Sequence, residues 1–283
     1  MNTWQALFLG ILQGATEFLP VSSSGHLVLV PWLLGWSASG LAFDAVVHWG
    51  TAVAVVAYFW RDWVTLVGAG LRSLPALPQY VRALFRPDGS AVELELDARL
   101  AWLIVIGTVP AALIGYLLED FFEGMFARPV AAAGFLMTTA AILTASERWG
   151  AQRRDLDALG GLDALSVGLA QALAIFPGIS RSGVTIAMGL VRGVQRESAA
   201  RFSFLLATPI ILGAGLLKVV DLAQVGGLSV QIPSLVVGFV GAAVVGLGCI
   251  HFLLRYLQQR RLYPFAVYCV TLSLFCLVVA WIR

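Results

Sequence analysis

Charge is scarce in this chain. Only 12% of its 283 residues are charged and 59% are hydrophobic, whereas a soluble domain carries about 25% charged residues. That balance excludes an ordinary soluble globular domain and predicts an integral, all-α membrane protein. Cysteine is sparse as well. Cys249, Cys269 and Cys276 are odd in number and sit in apolar runs, which suits packing better than a disulfide framework, and no metal-ligand spacing is present. Basic residues are missing from the N-terminal region, the first being Arg61, so no cleavable signal with a basic leading segment is expected. No basic patch interleaved with aromatic residues points to nucleic acid.

Apolar runs are abundant by contrast. A bilayer-crossing helix needs about 20 mostly apolar residues, and residues 44–60, 100–118, 129–146, 202–220, 233–254 and 264–282 fit that length. Four other runs are too short: 4–19 with 25–34, and 165–176 with 183–191. Each short pair reads as a re-entrant hairpin that enters to mid-membrane, turns and leaves again. Irregular backbone at that depth is tolerated only inside protein or beside a wet cavity. The order short, short, long, long, long occurs twice. Three crossings between the hairpins put them on opposite sides, which predicts inverted repeats near 1–147 and 163–283 within one membrane domain, 1–283.

Charge placement gives the orientation. Most of the 18 Lys and Arg residues fall after Trp60, after Ser146, after Val191 and after Leu254, segments that this topology places on one side. The positive-inside rule makes that side cytoplasmic. Both termini and the mouth of the first hairpin then face outward. The polar stretch from Arg72 to Arg99 mixes both signs with prolines and reads as a surface or interfacial loop.

The two hairpin turns share a pattern at an offset of 158 residues. Gln, Phe, Ser, Ser and Gly coincide between Gln13–Gly25 and Gln171–Gly183. The first segment holds the only deeply placed carboxylate, Glu17, and the second the only deeply placed cation, Arg181. Ionisable groups at membrane depth face a cavity or a partner. Ser22, Ser23, Ser24 and Gly25 follow Pro20 at a helix start, where exposed N–H groups and partial positive charge suit phosphate oxygens. Gly178, Ser180, Ser182 and Gly183 offer the same from the second turn. The plainer reading is that these small residues only allow close helix packing.

Arg181 suits a bidentate grip on phosphate, or a structural ion pair with Glu17. Those two readings are compatible. Glu17 lies one helical turn from Gln13. It fits a general base, a ligand to a divalent cation shared with phosphate, or a hydrogen-bonded buried acid. His26 could donate to phosphate, transfer a proton or attack phosphorus. Thr185 could add a hydroxyl or simply bond back within its helix. His48 and His251 read as packed polar residues, with His48 in local contact with Asp44 four residues earlier.

On these residues the chain resembles the bacterial undecaprenyl-diphosphate phosphatases, also called bacitracin-resistance proteins. Gln13 and Glu17 with Phe18–His26 resemble the first signature of that family, and Pro177–Thr185 the second. The resemblance extends over the whole chain, including Phe43–Thr51 and Phe202–Ala207. It implies removal of the terminal phosphate from undecaprenyl diphosphate at an outward-facing site in the bacterial inner membrane, recycling the lipid carrier for cell-wall synthesis. It implies an inverted-repeat fold with re-entrant helices and a divalent cation, Mg²⁺ or Ca²⁺. It assigns roles to Gln13, Glu17, Ser23, His26, Ser180, Arg181 and Thr185. Many members carry Glu where this chain has Gln13, which leaves Glu17 as the sole candidate carboxylate for base or metal duty. The candidate attacking groups, in order, are Ser23, His26 and water activated by Glu17. A flippase or anion carrier is the rival class, since inverted repeats with broken helices suit transport equally. The oligomeric state is left open, a homodimer included.

Overall fold

The computed structural model describes residues 1–38, 40–79, 95–118, 124–126, 128–225 and 232–283, leaving aside the side chains of residues 41, 214 and 216–225. Its elements are α1 (Thr3–Phe18), α2 (Ser23–Leu34), α3 (Leu41–Tyr58), α4 (Trp60–Ser73), α5 (Leu96–Leu117), α6 (Pro129–Trp149), α7 (Gly161–Ala172), α8 (Arg181–Val191), α9 (Arg196–Val225), α10 (Ile232–Gln259) and α11 (Tyr263–Ile282). A 3₁₀ turn, Leu173–Ile175, extends α7. No strand occurs among the described residues beyond one isolated bridge between Arg154 and Val194.

Among those residues four helices, α5, α6, α10 and α11, are long and apolar enough to cross a membrane, or five spans if the bent α3–α4 pair counts as one. Their outer faces carry Val105, Leu113, Val240, Val267 and Phe275, all exposed. Apolar side chains exposed along helices of this length suit a lipid environment. The chain is a multi-pass membrane protein. The expected crossing at 202–220 falls within α9, whose side chains from residue 216 lie outside the described set.

The sequence led to a loop after Trp60, and the structure corrects this. The chain bends by 80° between α3 and α4 and continues as a helix to Ser73. Leu66 and Ala69 are buried, while Val64, Val67 and Leu71 remain exposed. Arg61 and Asp62 interrupt the hydropathy without breaking the helix, and Asp62 pairs with Arg201 at the start of α9. Of the expected Arg72–Arg99 loop, residues 80–94, with Arg82 and Arg86, lie outside the described residues, as does the Lys218 side chain.

Two pairs of short helices sit inside the frame. Helices of 16, 12, 12 and 11 residues rise 1.5 Å per residue, so none spans a hydrocarbon core of about 30 Å. Helix α1 packs on α10, and α7 packs on α5. The contacts are built alike. A Cβ on Gly10 would overlap the Gly238 carbonyl of α10, and a Cβ on Gly168, 158 residues later, would overlap the Gly107 carbonyl of α5. Backbones come this close only through small residues. Gly168→Ala is expected to destabilise the fold by about 1–3 kcal/mol, read as a lower Tm in detergent. Gly134→Ala, where an added Cβ meets nothing within 4 Å, should leave the Tm in place.

Buried carboxylates tie the arginine-rich side together. Glu147, at the end of α6, accepts from Arg196 at 2.6 and 2.8 Å and from the Leu262 N–H at 2.8 Å. Asp163, in the first turn of α7, accepts from Arg154 at 2.7 Å and Arg192 at 2.6 Å. Breaking one partner of such a pair leaves an uncompensated buried charge. These links hold the ends of five helices, α6, α7, α8, α9 and α11, in one arrangement.

Candidate active site

Each short pair is broken at the same place and capped in the same way. After α1 the chain turns through Pro20 and Val21, and Ser22 takes a positive φ of 71°. A non-glycine residue there costs of order 1–3 kcal/mol. The Ser22 hydroxyl accepts from the Gly25 N–H at 3.2 Å. After α7 and its 3₁₀ turn, Ser180 accepts from the Gly183 N–H at 3.0 Å. The second hydroxyl of each turn lies beside the first, Ser24 at 3.3 Å from Ser22 and Ser182 at 3.2 Å from Ser180.

These caps place Ser23 and Arg181, which differ by the same 158 residues, as the first residues of α2 and α8. Both reach the last turn of α1. Glu17 Oε1 accepts from Arg181 Nη2 at 2.7 Å. Glu17 Oε2 accepts from Ser23 Oγ at 2.5 Å and from Gln13 Nε2 at 3.0 Å. The two turns, distant in sequence, therefore meet at one carboxylate. Glu17 is only 7% exposed, so its charge depends on these donors. Arg181 also donates to the Ser203 carbonyl at 3.5 Å. A guanidinium has five donors, which leaves capacity for an incoming anion.

The cluster opens on a cavity of about 410 Å³. Its polar wall is Thr16, Glu17, Ser23, Ser24, Asp44, His48, Ser180 and Arg181, and the remainder is apolar. His48 keeps the local contact expected of it and also lines the cavity. Its Nδ1 lies 2.6 Å from the Asp44 carbonyl oxygen, which requires the proton on that nitrogen, and its Nε2 lies 3.7 Å from Glu17 Oε2. Asp44 lines the same cavity, so Glu17 is not the only deep carboxylate. The sequence signal for this place is an acid and a histidine inside an apolar run, beyond the i,i+4 contact they make with each other. His251 meets Tyr58 at 3.2 Å, in an exposed position.

Other residues singled out in the sequence stand behind the cavity. Gln13 is fully buried and orients Glu17. Gly178 has a φ of 104°, and a Cβ there would overlap the Ala132 carbonyl. Thr139 pins that turn, donating to the Gly178 carbonyl at 2.8 Å and accepting from the Ser180 N–H at 3.0 Å. Ser182 donates to the Leu19 carbonyl at 3.1 Å, joining the second turn to the first. Thr185 bonds back to the Arg181 carbonyl at 2.7 Å and meets Ser203 at 2.6 Å. The N–H groups of Gly25 and Gly183, expected to cradle phosphate, are taken by their own serine caps.

His26 is also turned away. It is 1% exposed, its Nδ1 lies 2.7 Å from the Ser22 carbonyl oxygen, and its Nε2 lies 2.7 Å from the Tyr268 hydroxyl. Its ring stacks on Tyr268 at 5.7 Å. Both nitrogens are thus spent on fixing α2 against α11. His26→Gln and Tyr268→Phe cut this link from its two ends. Both are expected to lower Tm and to reduce kcat by less than about tenfold, since each loses one or two hydrogen bonds of about 1 kcal/mol.

The protein's own donors do not make a cation cage. Both Glu17 oxygens accept from protein donors, a guanidinium stands 2.7 Å away, and no group of three His, Cys, Asp or Glu residues suited to a metal occurs among the described residues. A divalent ion commonly needs six or more oxygen ligands.

Residues 6–275 match the family described as bacitracin resistance protein BacA. Three similar proteins, each named undecaprenyl-diphosphatase, come from Desulforudis audaxviator, Thermomicrobium roseum and Moorella thermoacetica. The first is 45% identical over the full length of both chains. The second is 44% identical over 99% of this chain and 98% of its own, and the third is 41% identical over the full length of both. With this match across nearly its whole length, the chain belongs to the bacitracin resistance protein BacA family.

Proposed function

We propose that the chain hydrolyses a polyprenyl diphosphate, undecaprenyl diphosphate in the first place, to the monophosphate and inorganic phosphate. The observation that carries this reading is the Ser23–Glu17–Arg181 cluster. A hydroxyl lies 2.5 Å from a carboxylate whose other oxygen meets a guanidinium at 2.7 Å, on a cavity with largely apolar walls. A nucleophile in contact with a base, beside a cation for the developing charge, is the arrangement phosphoryl transfer needs.

In the proposed sequence the terminal phosphate takes Arg181 away from Glu17, which frees the carboxylate to act as base. Ser23 Oγ attacks the terminal phosphorus and its proton passes to Glu17. The bridging P–O bond breaks, and the lipid monophosphate leaves. Glu17 passes that proton to the departing lipid monophosphate or to solvent, then takes a proton from the water that attacks the phosphoserine and returns it to Ser23 Oγ as the P–Oγ bond breaks, releasing inorganic phosphate. Arg181 stabilises the equatorial oxygens throughout. A divalent cation, Mg²⁺ or Ca²⁺, would have to draw most of its ligands from the diphosphate, with Glu17 as the proposed protein ligand, and no step above is routed through it.

The halves 1–147 and 163–283 are read as inverted repeats whose short helix pairs re-enter the membrane. The matched Gly10 and Gly168 contacts and the matched serine caps support this. The concentration of arginine at one end supports an inner-membrane protein with both termini and the cavity on the periplasmic side. The test is phosphate release from detergent-purified protein, where no transmembrane gradient exists, with and without chelator. Release establishes the hydrolase. Binding of the lipid without release would favour a carrier instead.

A further inference from the structure

The geometry points to Gly115 as the residue that sets the passage for the substrate's isoprenoid tail. This rests on the hydrolase reading and deepens it. The cavity is built from equivalent positions of the two broken helices, but its halves differ in chemistry. Thr16 and Glu17 line it from the first, and Ala174 and Ile175, 158 residues later, line it from the second. Where one repeat presents a hydroxyl and a carboxylate, the other presents a methyl and a branched hydrocarbon. At these matched positions the wall is polar on one side and apolar on the other, although Leu27, Val28 and Ala45 add apolar lining to the first side and Ser180 and Arg181 polar lining to the second.

A headgroup held by Arg181 and Ser23 leaves its covalently attached tail the apolar lining, of which Ala174, Ile175, Ile210, Ile211 and Gly115 form the stretch contributed from α5, α9 and the turn after α7. Gly115 lies near the C-terminal end of α5, at the opposite end of that helix from Arg99. Among the described residues it is the α5 residue that lines the cavity, and it presents no side chain there. A Cβ added there meets only Ile175 Cδ1, at 3.7 Å, an ordinary contact. The absence of a side chain at Gly115 is therefore not required by backbone packing, in contrast to Gly168. Apolar burial of the tail against this wall contributes about 25 cal/mol per Å², and a large side chain at Gly115 would project into the cavity and displace a long tail.

The experiment compares kcat/KM for undecaprenyl and farnesyl diphosphate in the wild type and in Gly115→Ala, Gly115→Leu and Gly115→Phe. Gly134→Phe, on the outer face of α6, reports any general effect of an added ring. The expected result is a long-to-short ratio that falls progressively with side-chain size, by about tenfold or more at Phe, and that stays put in Gly134→Phe. Farnesyl hydrolysis reports that each variant is folded, and Gly115→Leu decides if Gly115→Phe does not accumulate. A ratio that stays constant across the series, whether both activities persist or both fall together, overturns the assignment of Gly115. A wild type that hydrolyses neither lipid overturns the hydrolase reading instead.

Discussion

Arg181→Met is expected to lower kcat/KM for polyprenyl diphosphate hydrolysis by about 10³- to 10⁵-fold, the span seen when a charge-stabilising arginine is lost from phosphoryl transfer. Two effects combine. The phosphate loses its bidentate partner, and Glu17 loses the cation 2.7 Å away. The side chains of Arg181 and Glu17 are 15% and 6% exposed, so the charge left behind is poorly solvated. Breaking such a pair costs about 3–5 kcal/mol, and Tm should drop accordingly. The double variant Glu17→Gln with Arg181→Met separates the effects. It removes both charges, so much of the lost stability should return, while activity stays absent. An active double variant would show the pair to be structural only. Arg181→Lys should recover charge but not the forked geometry, and so stability more than turnover.

Ser23→Ala comes next in size. Loss of an attacking hydroxyl costs on the order of 10⁴- to 10⁶-fold in kcat. The substitution removes one hydrogen bond to Glu17 and leaves Arg181 in contact with the carboxylate, so lipid binding should persist. Rapid quenching of the wild type should trap a phosphoserine at Ser23, and the variant should yield none. If Ser23→Ala still hydrolyses substrate within about tenfold of the wild type, water activated by Glu17 is the nucleophile, and Ser23 only positions it.

Of the six expected spans, those in α5, α6, α10 and α11 were legible because membrane burial demands long apolar runs, and the run at 44–60 qualifies only together with α4 as a bent pair. The broken pairs were legible from the punctuation of Pro20 and Pro177 and the serines behind them. Helix α4 was hidden because Arg61 and Asp62 lower the hydropathy while costing a helix little. The Glu17–Arg181 contact was foreseeable from the economics of charge at depth. The contact of His48 with Asp44 within one helix was legible and is present, whereas their place on the cavity follows only from the packing of α3 beside α1. His26 follows the candidate-site serines in sequence, but its ring nitrogens meet the Ser22 carbonyl and the Tyr268 hydroxyl, 242 residues away, a partner that no local pattern announces. The glycines and hydroxyls assigned to phosphate were correctly seen as helix starts, yet a serine at an N-cap satisfies the same N–H groups that an anion would use.

The most direct measurement is an experimental structure of the protein with a methylene-bridged, non-hydrolysable analogue of undecaprenyl diphosphate. The terminal phosphonate should lie between Ser23 Oγ and the Arg181 guanidinium, with the tail leaving past Ile175. A headgroup bound elsewhere, with Glu17 and Arg181 still in contact, would contradict the account.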